Sequence, residues 1–226
     1  MTEQQEATRP TGLRERKKQR TRDALLRAAL ELFTTQGYEQ TTVDEIADAV
    51  EVSQRTFFRY FANKEEAAFA VQEMVESHFL AELRERPAKE GPFVAMRKAV
   101  LGAWDTIGEA IEAVVPVELH MRTYQMIEST PALLAAHLRR STELEEQVAR
   151  IVADREGLDL DADPRPRIAV AAFTGVMRVS GRLWGQSEDV SIESIRALTE
   201  LYLDHLEPAL AADWRTPACD TVAHKA

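Results

Sequence analysis

Between Ser53 and Phe61 the chain places Gln54, Arg55 and Arg59 on one side of a short helical stretch and Phe57 and Phe61 on the side that can anchor in a core. Arginine offers a fork of donors matching the paired acceptors of guanine, and glutamine matches the donor–acceptor pair of adenine. A helix with that outer face suits the major groove of duplex DNA. Ahead of it runs a basic segment, Arg9, Arg14, Arg16, Lys17, Lys18, Arg20, Arg22 and Arg27, interrupted only by the acids Glu15 and Asp23. The formal net charge of -10 alone argues against a polyanionic partner. The acidic excess, however, lies in residues 66 to 226, so the opposite sign is concentrated at one end. A solvated helix face would have the same composition, and the residues that follow separate the two readings.

Other chemistries find little support. The single Cys219 sits in a polar tail, with no CxxC or Cys/His cluster for a metal, and no cofactor is implied. No nucleophile motif or phosphate loop occurs. An enzyme would have to use His120 or His137 with a neighbouring Glu as base, and the chain is read as a non-enzyme. The N-terminus lacks an apolar h-region and no apolar run approaches the roughly 18 residues of a membrane span. The expectation is a soluble, cytoplasmic protein without a membrane partner.

Apolar residues recur at spacings of three and four from Leu25 to Leu210, and period-two alternation is nearly absent. The fold class expected is all-α. Prolines and glycines divide the pattern into about nine helices, at 14–36, 42–49, 53–60, 63–86, 92–113, 116–128, 131–155, 165–185 and 191–211. The expected organisation is a disordered tail at 1–12, a helix-turn-helix domain at 13–62, a helical effector and dimerisation domain at 63–211, and a second disordered tail at 212–226.

Leu25, Leu26, Ala29, Leu32, Phe33 and Gln36 share one face of the first helix, and Gly37 stands where a left-handed cap would end it. Thr42 with Glu45 reads as a capping box, Ser53 as the cap of the next helix, and Asn63 with Glu66 as a further box. The segment TTVDEIADAVEVSQRTFFRYFANKEE resembles the DNA-binding signature of the TetR (tetracycline-repressor) family at Thr42, Ile46, Ala47, Val52, Ser53, Thr56, Tyr60, Phe61, Lys64 and Glu65. The resemblance implies that Thr42, Tyr60 and Lys64 hold phosphates, with Ser53 and the basic Arg14, Lys17 and Lys18 beside them. It also implies that Gln54, Arg55, Thr56 and Arg59 face bases. A helix cap for Thr42 and a core aromatic for Tyr60 are the alternatives. Three departures stand out. Val50–Glu51 replaces the usual Ala-Gly, so a positive φ at Glu51 would cost about 1 kcal/mol. Arg55 replaces a usual Gly, and Phe58 a usual Tyr, which removes a phosphate-binding hydroxyl.

In the eighth helix Ile168, Ala172, Gly175 and Val179 form a small-residue face, and the ninth carries Ile192, Ile195, Thr199, Tyr202 and Leu206. Together they could make a symmetric four-helix interface, as in the family, or pack only within one subunit. Phe173, Met177, Ser180 and Trp184 lie about 150° from the small face. With Trp104, Ile107 and Ile111 of the fifth helix and Met121, Tyr124 and Met126 of the sixth they suit an adaptable apolar pocket, although ordinary core would look the same. The region from Val117 onward is similar to the effector domain of mycofactocin-system and acyl-CoA-responsive regulators. That resemblance makes Arg122, Arg139, Arg178 and Arg182 candidate partners for phosphate or carboxylate, with surface ion pairs as the alternative.

The function expected is a homodimeric regulator, a repressor released from a palindromic DNA operator by a small apolar or acyl-bearing effector. An activator, a regulator gated by a partner protein, or an enzyme with an apolar pocket are the alternatives.

Overall fold

The computed structural model describes residues 12–211 apart from Val190. The expected tails, with Arg9 and Cys219, therefore lie outside the described residues except for Gly12. Among those described there are ten helices and no strand: α1 (Leu13–Gln36), α2 (Val43–Ala49), α3 (Gln54–Phe58), α4 (Lys64–Glu85), α5 (Pro92–Glu112), α6 (Val117–Ser129), α7 (Pro131–Glu156), α8 (Arg165–Gly185), α9 (Ile192–Asp204) and α10 (Leu206–Ala211). The expected ninth helix is two. Pro208 lacks the N–H that would bond to the Asp204 carbonyl, and its ring crowds that carbonyl, so the helix breaks at His205. The His205 ring then bonds to the Leu201 carbonyl at 2.8 Å.

The chain forms two compact units, one from the residues up to His78 with Thr106–Arg139, the other from Phe79–Asp105 with the residues from Arg140 onward. The division cuts α4, α5 and α7.

In the first unit α1 buries Leu25, Leu26, Ala29, Leu30 and Phe33 and packs on α2 and α6. Leu30, not Leu32, completes the stripe, and Leu32 is half-buried. Gly37 ends α1 at φ 98°, where a Cβ would meet Gln40 Oε1 at 2.5 Å. Thr41 closes the turn by bonding back to the Gly37 carbonyl.

In the second unit Phe79 and Leu83 of α4, Met96 and Ala99 of α5, Val148 and Val152 of α7, Phe173 of α8 and Leu203 of α9 share one core. Its rim is ionic: Arg97 reaches Asp204 at 2.7 Å and Arg196 reaches Asp105 at 2.6 Å. Arg155 donates to the carbonyls of Arg86 and Pro87, groups at the end of α4 that have no intrahelical partner. No described helix is long and apolar enough to cross a membrane, and no cluster of three metal-binding side chains occurs among the described residues.

Candidate nucleic-acid interface

The helix-turn-helix is held open by its caps. Thr42 accepts from the Glu45 amide at 3.2 Å, and the Glu45 carboxylate accepts from the Thr42 amide at 2.8 Å, a complete capping box. These bonds, the one from the Thr42 backbone foremost, hold the Glu45 carboxyl below its ordinary range. Gln36 of α1 donates to the same carboxylate at 3.2 Å and so braces α2 from the preceding helix. Glu51 has φ 56°, the left-handed turn that the departure from glycine anticipated. Ser53 caps α3 by accepting from the Thr56 amide, and its hydroxyl lies 3.0 Å from that of Thr56.

With its inner side fixed by Phe57, α3 presents Gln54, Arg55 and Phe58 to solvent. They lie at i, i+1 and i+4, which makes one continuous outer face. Gln54 and Arg55 make no hydrogen bond or ion pair within the described residues. Phe58 is 48% exposed and held edge-on against Phe57, with ring centroids 5.6 Å apart. Arg59, also exposed, lies over the Tyr60 ring at 5.0 Å. Arg14, Lys17 and Lys18 are exposed on α1, Lys18 in a loose pair with Glu15. Arg22 covers the Phe61 ring at 5.2 Å.

Several of the side chains expected at DNA also have partners within the chain. Ser53 and Thr56 spend their hydroxyls on the helix cap, and the Thr42 hydroxyl is engaged by Glu45. Lys64 is half-buried, with Nζ donating to the carbonyls of Tyr38 at 2.8 Å and Thr41 at 2.7 Å and lying 4.6 Å from the centre of the Tyr38 ring. It ties the end of α1 and the loop after it to α4, a contact that sequence reasoning missed together with those of Gln36 and Thr41. The capping box drew attention to Glu45, but nothing in the local pattern named partners so distant in the chain.

The residues expected to form one effector pocket are not brought into one cluster within either unit. Ile107, Ile111 and Met121 are buried in the first unit, where burial and the nearby Glu128 and Glu76 push the Tyr124 phenol up. Trp104, Phe173, Met177 and Trp184 belong to the second. Phe173 is packed between the rings of Phe79 and Phe93, each about 6.2 Å away, and is a core residue. Trp184 donates its indole N–H to Ser194 at 2.8 Å, which fixes it against α9. Trp104 and Met177 are only partly buried, and the buried indole N–H of Trp104 has no acceptor among the described residues.

On α9 the expected interface stripe divides by burial. Ile195 and Thr199 are buried within their own subunit, at 5% and 0% exposure, while Tyr202 and Leu206 are half-buried. Leu201, on another side of α9, is 52% exposed. On α8 Ile168 is 64% exposed, Ala172 and Val179 are half-buried, and a Cβ on Gly175 would meet nothing within 4 Å. Of the expected anion-binding arginines, Arg178 pairs with Glu145 at 3.2 Å and Arg139 approaches Glu65 at 3.9 Å. His120 is buried, and desolvation lowers its pKa to about 4.

Residues 25–71 match the family model described as bacterial regulatory proteins, tetR family, and residues 90–211 match the MftR C-terminal domain. The chain is 50% identical over 206 residues to the HTH-type transcriptional regulator TcmR of Streptomyces glaucescens, covering 91% of each chain. It is 32% identical over 99 residues to the HTH-type transcriptional repressor NicS of Pseudomonas putida, covering 43% of this chain and 47% of that one. Among solved structures it is similar in fold to NalD, the secondary repressor of the MexAB-OprM multidrug efflux pump in Pseudomonas aeruginosa. That alignment has a TM-score of 0.57 at 19% identity and covers 88% of this chain and 100% of that one.

Proposed function

This chain belongs to the TetR family of bacterial regulatory proteins, ligand-responsive DNA-binding regulators of transcription, and on that premise we propose that it is a cytoplasmic repressor. Two copies grip a palindromic operator, and a small apolar effector releases them. The observation that carries the reading is the outer face of α3, where Gln54 and Arg55 make no hydrogen bond or ion pair among the described residues and Phe58 is exposed, while the neighbouring hydroxyls of Ser53 and Thr56 are engaged in the cap. Glutamine and arginine supply hydrogen bonds to base edges, and an exposed phenyl ring suits the methyl group of thymine. The exposed cations of α1 then address phosphates, which fix register without reading sequence.

The dimer contact is proposed on the small-residue face of α8, at Ile168, Ala172, Gly175 and Val179, with Leu201 of α9 in place of the inward-facing Ile195 and Thr199. Two recognition helices must stand about 34 to 36 Å apart to meet successive major grooves, so an effector that changes their separation weakens binding. The effector is placed against Trp104 and Met177 in the second unit. The support is the indole N–H of Trp104, a buried donor whose desolvation costs about 1 to 3 kcal/mol until an acceptor meets it. That favours an apolar molecule carrying a carbonyl, ether or phenolic oxygen.

Selection of binding sites from random duplexes, followed by mobility-shift titration, tests the operator reading. The expected product is an inverted repeat bound by a dimer. A protein that enriches no sequence would overturn it. For the effector, thermal melting against a panel of apolar oxygen-bearing compounds should find one that stabilises the wild type and stabilises Trp104→Phe less.

A further inference from the structure

The end of α1, the loop after it and the second half of α6 line a half-open groove of about 450 Å3 in the first unit. Its apolar surface comes from Phe33, Tyr38 and Met126, with the rings of Phe33 and Tyr38 meeting edge to face at 5.1 Å. Arg122 is the one formal charge among its lining residues, and no carboxylate lines it. The Arg122 side chain is exposed and has no hydrogen bond or ion pair among the described residues, unlike Arg139 and Arg178. The guanidinium therefore stands without a carboxylate beside a concave surface that also carries the polar side chains of Thr34, Gln125, Ser129 and Thr130. The volume falls within the roughly 300 to 1,000 Å3 typical of small-molecule sites.

We infer that this groove binds a small aromatic carboxylate, with its ring against Phe33, Tyr38 and Met126 and its carboxylate on the Arg122 guanidinium. The planar fork of arginine matches a carboxylate through two parallel hydrogen bonds, and a methionine thioether favours the edge of an aromatic ring. The site is separate from the effector region around Trp104 and stands or falls without it. Its position gives it a mechanical consequence. Tyr38 holds the Lys64 ammonium through both its carbonyl and its ring, so an occupant that immobilises Tyr38 stiffens the loop leading into α2.

Isothermal titration of the full chain with 2-naphthoate, and separately with its neutral amide, tests the site without DNA. Naphthoate should bind once per chain, and the amide about tenfold more weakly, the 1.4 kcal/mol of one decade. Arg122→Gln should bring naphthoate to the level of the amide, Met126→Trp should block both, and Trp104→Phe should change neither. Hydrogen exchange at the Thr41 amide should slow when naphthoate binds. Because Arg122 is exposed, its replacement leaves the fold intact, and a matching thermal melt checks this. Absence of saturable binding, binding indifferent to Arg122→Gln, or binding lost in Trp104→Phe would each overturn the assignment.

Discussion

Lys64, the first residue of α4, donates from Nζ to the carbonyl of Thr41 at 2.7 Å, joining groups 23 residues apart in the chain. The same ammonium bonds to the Tyr38 carbonyl and caps the Tyr38 ring. The first residue of the helix after the recognition helix thereby clamps the loop that precedes the first helix of the motif. Burial and the nearby Glu65 carboxylate raise the pKa of the Tyr38 phenol, which keeps that ring neutral beneath the cation.

Lys64→Met keeps the aliphatic stem and removes the clamp. Hydrogen bonds from a charged donor are worth about 1.5 to 3 kcal/mol, so chemical denaturation should show a stability loss of that size. Operator affinity should fall equally for all sequences, because the motif loosens as a whole. Unchanged stability with reduced affinity would return Lys64 to a direct phosphate role.

The motif was legible because caps are local. Thr42 with Glu45, and Ser53 before an apolar pair, declare helix starts within four residues, and a non-glycine at Glu51 marks the left-handed turn by its very departure. Partners more than 20 residues away were not legible, so the bonds from Lys64 to Tyr38 and Thr41 were not foreseen beside the phosphate role that the resemblance implies. Periodicity likewise found the stripe on α9 but not its direction. Ile195, Thr199 and Leu203 turned out to face their own core, since a hydrophobic stripe specifies a buried face and leaves open what buries it. The groove at Arg122 needed α1 and α6 side by side, a juxtaposition that neither helix announces.

Arg55 and Lys17 should separate base reading from phosphate holding. Arg55→Ala should cost about 1 to 3 kcal/mol at one base position and flatten preference there. Lys17→Ala should weaken all sites alike and lower the salt dependence by about one ion. Parallel binding-site selections check this, and a uniform loss from both variants would refute the division.

Glu51 holds φ 56° without glycine's freedom. A side chain in that region costs about 1 to 2 kcal/mol, and glycine gives back part of the gain through unfolded-state entropy. Glu51→Gly should therefore raise stability by about 0.5 to 1 kcal/mol, and the β-branched Glu51→Val should lower it. Equal stability of all three proteins would show that this turn carries no strain.

His120 sets a pH window. Desolvation lowers its pKa from 6.5 to about 4 in the folded chain. Above pH 6.5 both states are neutral there and its contribution is complete. As pH falls from about 6.5 to about 4, the unfolded chain takes up a proton that the folded one refuses, and stability drops by an amount on the order of 3 kcal/mol. Glu90 and Asp163, each held at about 2 chiefly by hydrogen bonds from Arg86 and Arg165, lose their contributions only at lower pH. Stability curves of wild type and His120→Phe should diverge between pH 7 and 4, with the variant flatter. Parallel curves would show that the imidazole does not govern that window.

Gly175 offers the sharpest test of the proposed dimer. A Cβ built on it meets nothing within 4 Å, so the first side-chain atom there does not disturb the subunit's own packing. A Gly175→Leu protein that keeps its fold should then act between subunits, where a bulky group would part helices that need near-backbone contact. The variant should keep its helical circular dichroism and sediment as a monomer at micromolar concentration, while Gly175→Ala remains dimeric. Operator binding should fall with dimerisation, because one recognition helix alone meets one half-site. A folded Gly175→Leu protein that still dimerises would move the interface away from this face of α8.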